Sequence, residues 1–273
     1  MPQRSMSSVV SIDNVIPVLR SRRTLLAGLV VATAVPHAPR ARAEPAVSPS
    51  PMPELPPDEI RHFNVTLGDF GDGVRVAEMS YRLTHGDNRY RLDTAGQASG
   101  LIALVYTGQL IQASDGRIGP TGLMPESYRE KRGRRPERMI RFDWNTRTMI
   151  GNGDPPAEVP LPDGTQDRLS LAYQLGLLVR QDPLRAAAGA RFGLPLAAMR
   201  SVDAVTITCG GRVTLRVSGS ALAAIKFEIR GERHANDRID VWLSPEQSML
   251  PLRIRFLDDG SKVIDQVWNV ARS

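Results

Sequence analysis

The chain is poor in the residues that most often announce a function. It has a single cysteine, Cys209, so no intramolecular disulfide can staple the fold. Thr208 and Gly210 flank that cysteine and offer no base or cation to activate a thiolate, so it reads as a small buried apolar residue. Aromatic residues make up 5% of the chain, too few for a platform on which bases stack. The four histidines, His37, His62, His85 and His234, are scattered and form no His-x-x-x-His frame. No metal site and no cofactor is therefore expected. A Gly-x-Ser-x-Gly elbow is absent, and the glycines of Gly68–Gly73 and Gly210–Gly211 lack the lysine and following helix of a phosphate loop. No catalytic residue can be named, and a non-enzymatic protein is expected.

The N-terminus is where the chain has a clear signal. Arg22 and Arg23 precede an apolar run from Thr24 to Val35, followed by Pro36 and then Ala41-Arg42-Ala43. A basic stretch, a short apolar stretch and a small-x-small site read as an export signal cut after Ala43. The apolar run, about 12 residues, is well short of the roughly 20 needed to cross a bilayer, so the mature form is expected to have no transmembrane span. Ser21-Arg-Arg-Thr-Leu-Leu26 resembles a twin-arginine signal, with Leu25 where that pattern prefers phenylalanine, and the Sec and twin-arginine routes both stay open. Residues 1–43 hold six arginines and one aspartate. Without them 29 basic and 28 acidic residues remain, a net charge of +1 in place of +6. The basic character of the whole chain thus owes much to the signal, and a nucleic-acid partner is not expected. A periplasmic location is.

Residues 44–58 contain six prolines and two serines without periodicity, and read as an extended tether. From residue 59 to 271 the pattern is that of one β-rich domain. Val74–Leu83 alternates apolar and polar residues, as do Phe63–Leu67 and Tyr90–Thr94, with turn clusters between them. Gly100–Tyr106 is ambiguous and reads as a bent strand with a short helical start. Gly151–Pro162 reads as a Pro/Gly-rich loop, and Pro183–Leu196 as a connector. Strands resume from Val202 to Val270. About a dozen strands in one run imply a mainly β fold: a long curved antiparallel sheet or a partly open β-barrel, packed on one central helix.

That helix is expected at about 165–181, capped by Asp163 or Thr165, with Gln166 at capping-box spacing from Asp163. Leu171, Leu175 and Leu178 lie on one face, widened by Leu169, Ala172 and Leu177, the stripe of a helix buried against a sheet. Asp167 and Arg168 in its first turn read either as a ligand contact at the mouth of a cavity or as a cap and a structural ion pair. Upstream, residues 129–147 carry eight bases and three acids. They read either as a patch for anionic headgroups or an acidic partner, or as a solvated hairpin that deters edge pairing. Glu228, Arg230, Arg238 and Asp240 read as a solvated ion-pair face.

Gly122-Leu-Met-Pro125, Phe142-Asp-Trp144, Gln166-Asp-Arg-Leu-Ser170 and the stretch from Trp242 to Arg255 stand in an order that resembles the exported bacterial family known as domain of unknown function 3108. The resemblance spans about 60–270. It implies export and a single domain, and it supplies no catalytic residue. The stretch Trp242–Arg255 is also similar to periplasmic lipoprotein carriers of the LolA/LolB type, in which a half-open barrel around helices holds acyl chains. This likeness implies a carrier of a lipid or lipoprotein, with Leu171, Leu175, Leu178, Trp242, Leu252, Asp167 and Arg168 at the ligand and Arg132, Arg134, Arg135 and Arg138 at its headgroup. The alternative is an envelope scaffold with a filled core whose partner is another envelope protein.

Overall fold

Alternation sets the strands and their inward faces. In β2 (Val74–Gly86) Met79, Tyr81 and Leu83 are buried while Arg82 is exposed. In β3 (Arg89–Ala98) Tyr90, Leu92 and Thr94 are buried while Arg89 and Arg91 are exposed. Pairing Leu83 with Leu92 and Tyr81 with Thr94 puts the two buried sets on one face. The computed structural model describes residues 53–99, 108–217, 219–231, 237–258 and 262–272. The expected export signal, most of the expected tether and the ambiguous Gly100–Tyr106 stretch lie outside the described residues.

The remaining strands of the first half are β1 (Glu59–Leu67), β4 (Gln109–Gly119), β5 (Gly122–Arg132), β6 (Arg138–Asp143), β7 (Thr148–Gly151) and β8 (Ala157–Pro160). After the helix α1 (Ser170–Gln181) come β9 (Arg191–Ala198), β10 (Ser201–Val217), β11 (Ser220–Gly231), β12 (Arg238–Ser244), β13 (Leu250–Leu257) and β14 (Val263–Trp268). All 14 form one antiparallel sheet, in the order β8-β7-β6-β5-β4-β3-β2-β1-β14-β13-β12-β11-β10-β9. The chain therefore starts mid-sheet and walks by hairpins to one edge. It crosses through α1 to the other edge and walks back, until β14 pairs with β1 from Phe63↔Trp268 to Leu67↔Ile264. A crossover between the two edges of a curling sheet lies inside the curl, which is why the one helix is central.

The sheet curls without closing. Gln166, in the crossover, forms one parallel bridge with Leu196 on the edge strand β9. Its backbone N–H donates to Pro195 O at 2.9 Å, and its carbonyl accepts from Ala197 N at 2.8 Å. Close by, the β7 backbone at Gly151 abuts the β9–β10 turn: a Cβ there would sit 2.0 Å from Met199 O, so only glycine fits. The result is the partly open barrel expected from the strand pattern.

Both edge strands depart from the expectations. β8 lies in the stretch read as a loop and β9 in the stretch read as a connector. Each contains a proline, Pro160 or Pro195, which a central strand would exclude and an edge strand tolerates.

Every residue from Ser170 to Val179 is buried, so α1 is enclosed all round rather than laid on one surface. Leu171, Leu175 and Val179 join Ile207, Phe227 and Leu243 in one apolar cluster; Leu169, Tyr173 and Leu177 belong to a second with Leu83, Leu92 and Leu252. At Gly176 the helix backbone runs so close to the β12–β13 turn that a Cβ would lie 2.5 Å from Met249 O. At the helix C-terminal end the segment Pro53–Asp58, expected as tether, straps the barrel. Leu55 is buried, Glu54 O accepts from Arg180 at 2.7 Å, and His85 N donates to Asp58 Oδ1 at 3.0 Å.

Candidate ligand site at the helix start

The helix starts later than expected, and a different residue caps it. Asp167 Oδ1 accepts from Leu169 N at 2.8 Å and Ser170 N at 2.9 Å, and its Oδ2 accepts from Ser114 Oγ at 2.5 Å. Asp163 instead pairs with Arg147, and the Thr165 hydroxyl donates to Pro162 O at 2.6 Å. Gln166 forms no capping box; its Nε2 donates to Leu123 O at 2.9 Å and fixes the crossover to β5. Three oxygen-bearing residues within five positions were all chemically able to cap. The edge bridge at Gln166 decides, because it holds Asp163 and Thr165 outside the helical turn.

Asp167 is fully buried, and burial pushes its carboxyl above the usual carboxylate range against the lowering hydrogen bonds from Ser114, Ser170 and Leu169. Tyr90 OH lies 3.0 Å from Ser114 Oγ, which extends the chain of polar contacts into β3. Asp167 and Ser114 are wholly buried, and the carboxylate is committed to the helix N-terminus. The trio is a structural cap, out of reach of any substrate.

Arg168 points the other way. It is half-buried, and its guanidinium carbon stands 5.9 Å from the centre of the Phe256 ring. Among the described residues it makes no hydrogen bond and no ion pair. Burial lowers its pKa, the neighbouring Tyr128 and Glu130 oppose that, and the charges of Arg132 and Arg138 add to it. Arginine nevertheless stays charged.

Alternation along β5 turns Tyr128, Glu130 and Arg132 inward. Glu130 is saturated by other partners. It accepts from Arg132 Nε at 2.9 Å, Gln112 Nε2 at 3.0 Å and Tyr128 OH at 3.1 Å, and Arg138 stands 3.8 Å away. Burial would raise its pKa, but the hydrogen bond and charge of Arg132, with Arg168 and Arg138, hold it below the usual range. Three guanidiniums thus surround one carboxylate, and the carboxylate does not contact Arg168.

Beside Arg168 lies a cavity of about 30 Å³. Its apolar walls are Leu169, Leu171 and Ala172 from the helix side, Ile239 and Val241 from β12, and Ile254 and Phe256 from β13. Tyr81, Gln112 and Gln266 add polar atoms, and the Tyr81 hydroxyl donates to Gln266 Oε1 at 2.5 Å.

Of the residues expected at a ligand, Leu171 and Arg168 line this cavity and Asp167 caps the helix behind it. Leu175 and Leu178 are buried farther along the helix, outside its walls. Leu252 belongs to the second apolar cluster. Trp242, though it alternates with Val241 and Leu243, is buried in that same cluster, with Arg253 at 4.5 Å and Lys226 at 5.3 Å from the centre of its ring. The expected headgroup patch divides. Arg132 and Arg138 turn to Glu130, whereas Arg134 and Arg135 are exposed at the hairpin tip. Ile239, Val241, Ile254, Phe256, Tyr81, Gln112 and Gln266 were missed. Their strand alternation signals the inward direction, but not which inward residues stand opposite the helix start.

On the ion-pair face, Arg230 and Arg238 bind Glu228 at 2.6 and 3.2 Å, as expected. Asp240 departs from the expectation by being buried, with Arg238 at 3.1 Å; burial raises its pKa against the lowering charges of Lys226 and Arg238. Among the described residues no cluster of three metal-ligating side chains occurs, and no helix is long and apolar enough to cross a membrane.

No curated protein matches the sequence. Among solved structures, the chain is similar to a β-barrel-like protein of domain of unknown function DUF1849 from Brucella abortus. That match has 12% identity and a TM-score of 0.49, over 80% of this chain and 97% of that one. The family model described as protein of unknown function (DUF3108) matches residues 62–267, nearly the whole barrel with its helix and cavity, and the chain belongs to that family.

Proposed function

We propose that this is an exported, periplasmic, non-enzymatic protein that binds an amphipathic cell-envelope ligand, a lipid or the acyl part of a lipoprotein, between the start of α1 and strands β12 and β13. The single observation that carries the reading is Arg168. A partly buried cation without an ion pair lowers stability, and such departures from a well-satisfied interior concentrate at working sites. Most of its neighbours on the cavity side are apolar, so a guest with a tail gains about 0.8 kcal/mol for each CH₂ that leaves water. Arg22-Arg23 with the apolar run and Ala41-Arg42-Ala43 support export.

One observation favours a second reading, an envelope scaffold with a filled core. The cavity, about 30 Å³, has room for a water molecule but not for a chain unless the wall moves. Native mass spectrometry of the protein purified from its own envelope fraction separates the two. Co-purified lipid that delipidation removes supports the binder. A homogeneous, ligand-free protein that takes up no apolar probe supports the scaffold.

A further inference from the structure

We infer that the guest of this cavity is a single-headed anionic amphiphile whose head is gripped by Arg168. The inference rests on the binding reading above and adds to it the sign of the head and the residue that selects it.

The argument is one of charge and partners. Arg132 and Arg138 lie against Glu130, and Arg168 acts on it from farther off, so the charge around Arg168 is more positive than negative. The second acid nearby, Asp167, points its oxygens at the helix N-terminus and Ser114. Glu130 already accepts from three side chains and makes no contact with Arg168. The Arg168 fork therefore lines the cavity with no described hydrogen bond, among walls that Leu169, Leu171, Ile254 and Phe256 make largely apolar and to which Tyr81, Gln112 and Gln266 add polar atoms.

A planar guanidinium in such a place matches the two oxygens of a carboxylate, or those of a phosphate, by a pair of charge-assisted hydrogen bonds. The mostly apolar walls favour hydrocarbon for the rest of the guest. A neutral lipid would offer the fork only uncharged acceptors and leave its charge unpaired, and a cationic one would be repelled by three guanidiniums. Arg134 and Arg135, exposed at the tip of the same hairpin that carries Arg132 and Arg138, add long-range attraction for the same sign of head.

The test is a matched pair of probes on the purified full chain: cis-parinaric acid, a fluorescent fatty acid, and its methyl ester. Wild-type protein should bind the acid about ten- to a hundred-fold more tightly than the ester, the worth of hydrogen bonds to a charged group. Arg168→Gln should bring the acid down to the level of the ester and leave the ester unchanged, and Arg168→Lys should restore part of the difference. Loss of both probes alike in Arg168→Gln and Arg168→Lys, or equal binding of acid and ester by the wild type, overturns the inference while leaving the cavity a binding site. Binding of neither probe by the wild type overturns the binding reading and the inference with it. Displacement of the acid by inorganic phosphate at the same concentration would mean that a free anion suffices, and overturns the amphiphile.

Discussion

Asp167→Ala tests the helix cap on which the cavity wall is built. The substitution removes the acceptor of Leu169 N, Ser170 N and Ser114 Oγ, all in a fully buried setting. Loss of an N-cap costs about 0.5–2 kcal/mol. A buried donor left without a partner adds about 1–3 kcal/mol. Against both, the carboxylate is itself unfavourable to bury, and deleting it returns part of the loss. The expected net destabilisation is about 2–4 kcal/mol.

Asp167→Asn keeps one acceptor oxygen for the two backbone N–H groups, and its amide can donate to Ser114 Oγ. It should stay within about 1 kcal/mol of the wild type. Urea unfolding of the three proteins at neutral pH, followed by tryptophan fluorescence, measures both differences. The pH dependence gives an independent check on the sign. A carboxyl whose folded pKa lies above its unfolded value, about 3.9, binds more protons folded than unfolded between the two. Wild-type stability contributed by Asp167 therefore falls as pH rises from about 4 through the raised pKa, and Asp167→Asn lacks that loss. The asparagine variant should gain on the wild type as pH rises through this window. An asparagine variant as damaged as the alanine variant, or a gap that moves the other way with pH, would falsify the buried-cap account.

Three further outcomes follow from the packing. Leu175→Ala, at a fully buried position between α1 and the β10–β12 face, should cost about 3–5 kcal/mol in the same unfolding assay with little change in m-value. Gly176→Ala should destabilise by about 1–3 kcal/mol despite the better helix propensity of alanine, because the new methyl group meets Met249 O; equilibrium melting checks the sign. Leu55→Ala combined with Arg180→Ala should release the strap, read as faster hydrogen exchange and proteolysis confined to residues 53–58 while the sheet keeps its protection.

Much of the architecture was legible because alternation is a local signal. Met79, Tyr81 and Leu83 declare an inward face without reference to the rest of the chain, and the apolar breadth of Leu169–Leu178 declares an enclosed helix. The cap was not legible, since Asp163, Thr165 and Asp167 carry equivalent chemistry and only the bridge to Leu196 selects among them. The edge strands were hidden by the prolines that mark them as edges. Parity within the basic hairpin was available but unused. Tyr128, Glu130 and Arg132 at every second position form an inward row, so treating eight bases as one surface joined residues that the pleat keeps apart. For the site, Leu171 and Arg168 were within reach from the helix pattern. Their partners on β12 and β13 were not, because contact across the interior depends on where the sheet's curl brings distant strands, and no local pattern encodes that.

The girth of the barrel hangs on a narrow clasp. Elsewhere neighbouring strands are laced along their length; between the two edges the described ties are few, namely the backbone of Gln166 to Pro195 and Ala197, the Arg200 guanidinium to Pro155 O at 2.8 Å, and the close approach of Gly151 to the β9–β10 turn. Unfastening it sacrifices the two backbone hydrogen bonds of Gln166 and the one from Arg200, where parting β2 from β3 would sacrifice a whole ladder. This is the place where the interior would be let out most cheaply, and Gln166 sits two residues from Arg168. Under the binding proposed above, a guest at Arg168 would load the fastening two residues away, and filling and widening would become one event. The amide protons of Gln166 and Ala197 would report it, exchanging ahead of the laced strands in the empty protein and shifting their rates when the site is occupied.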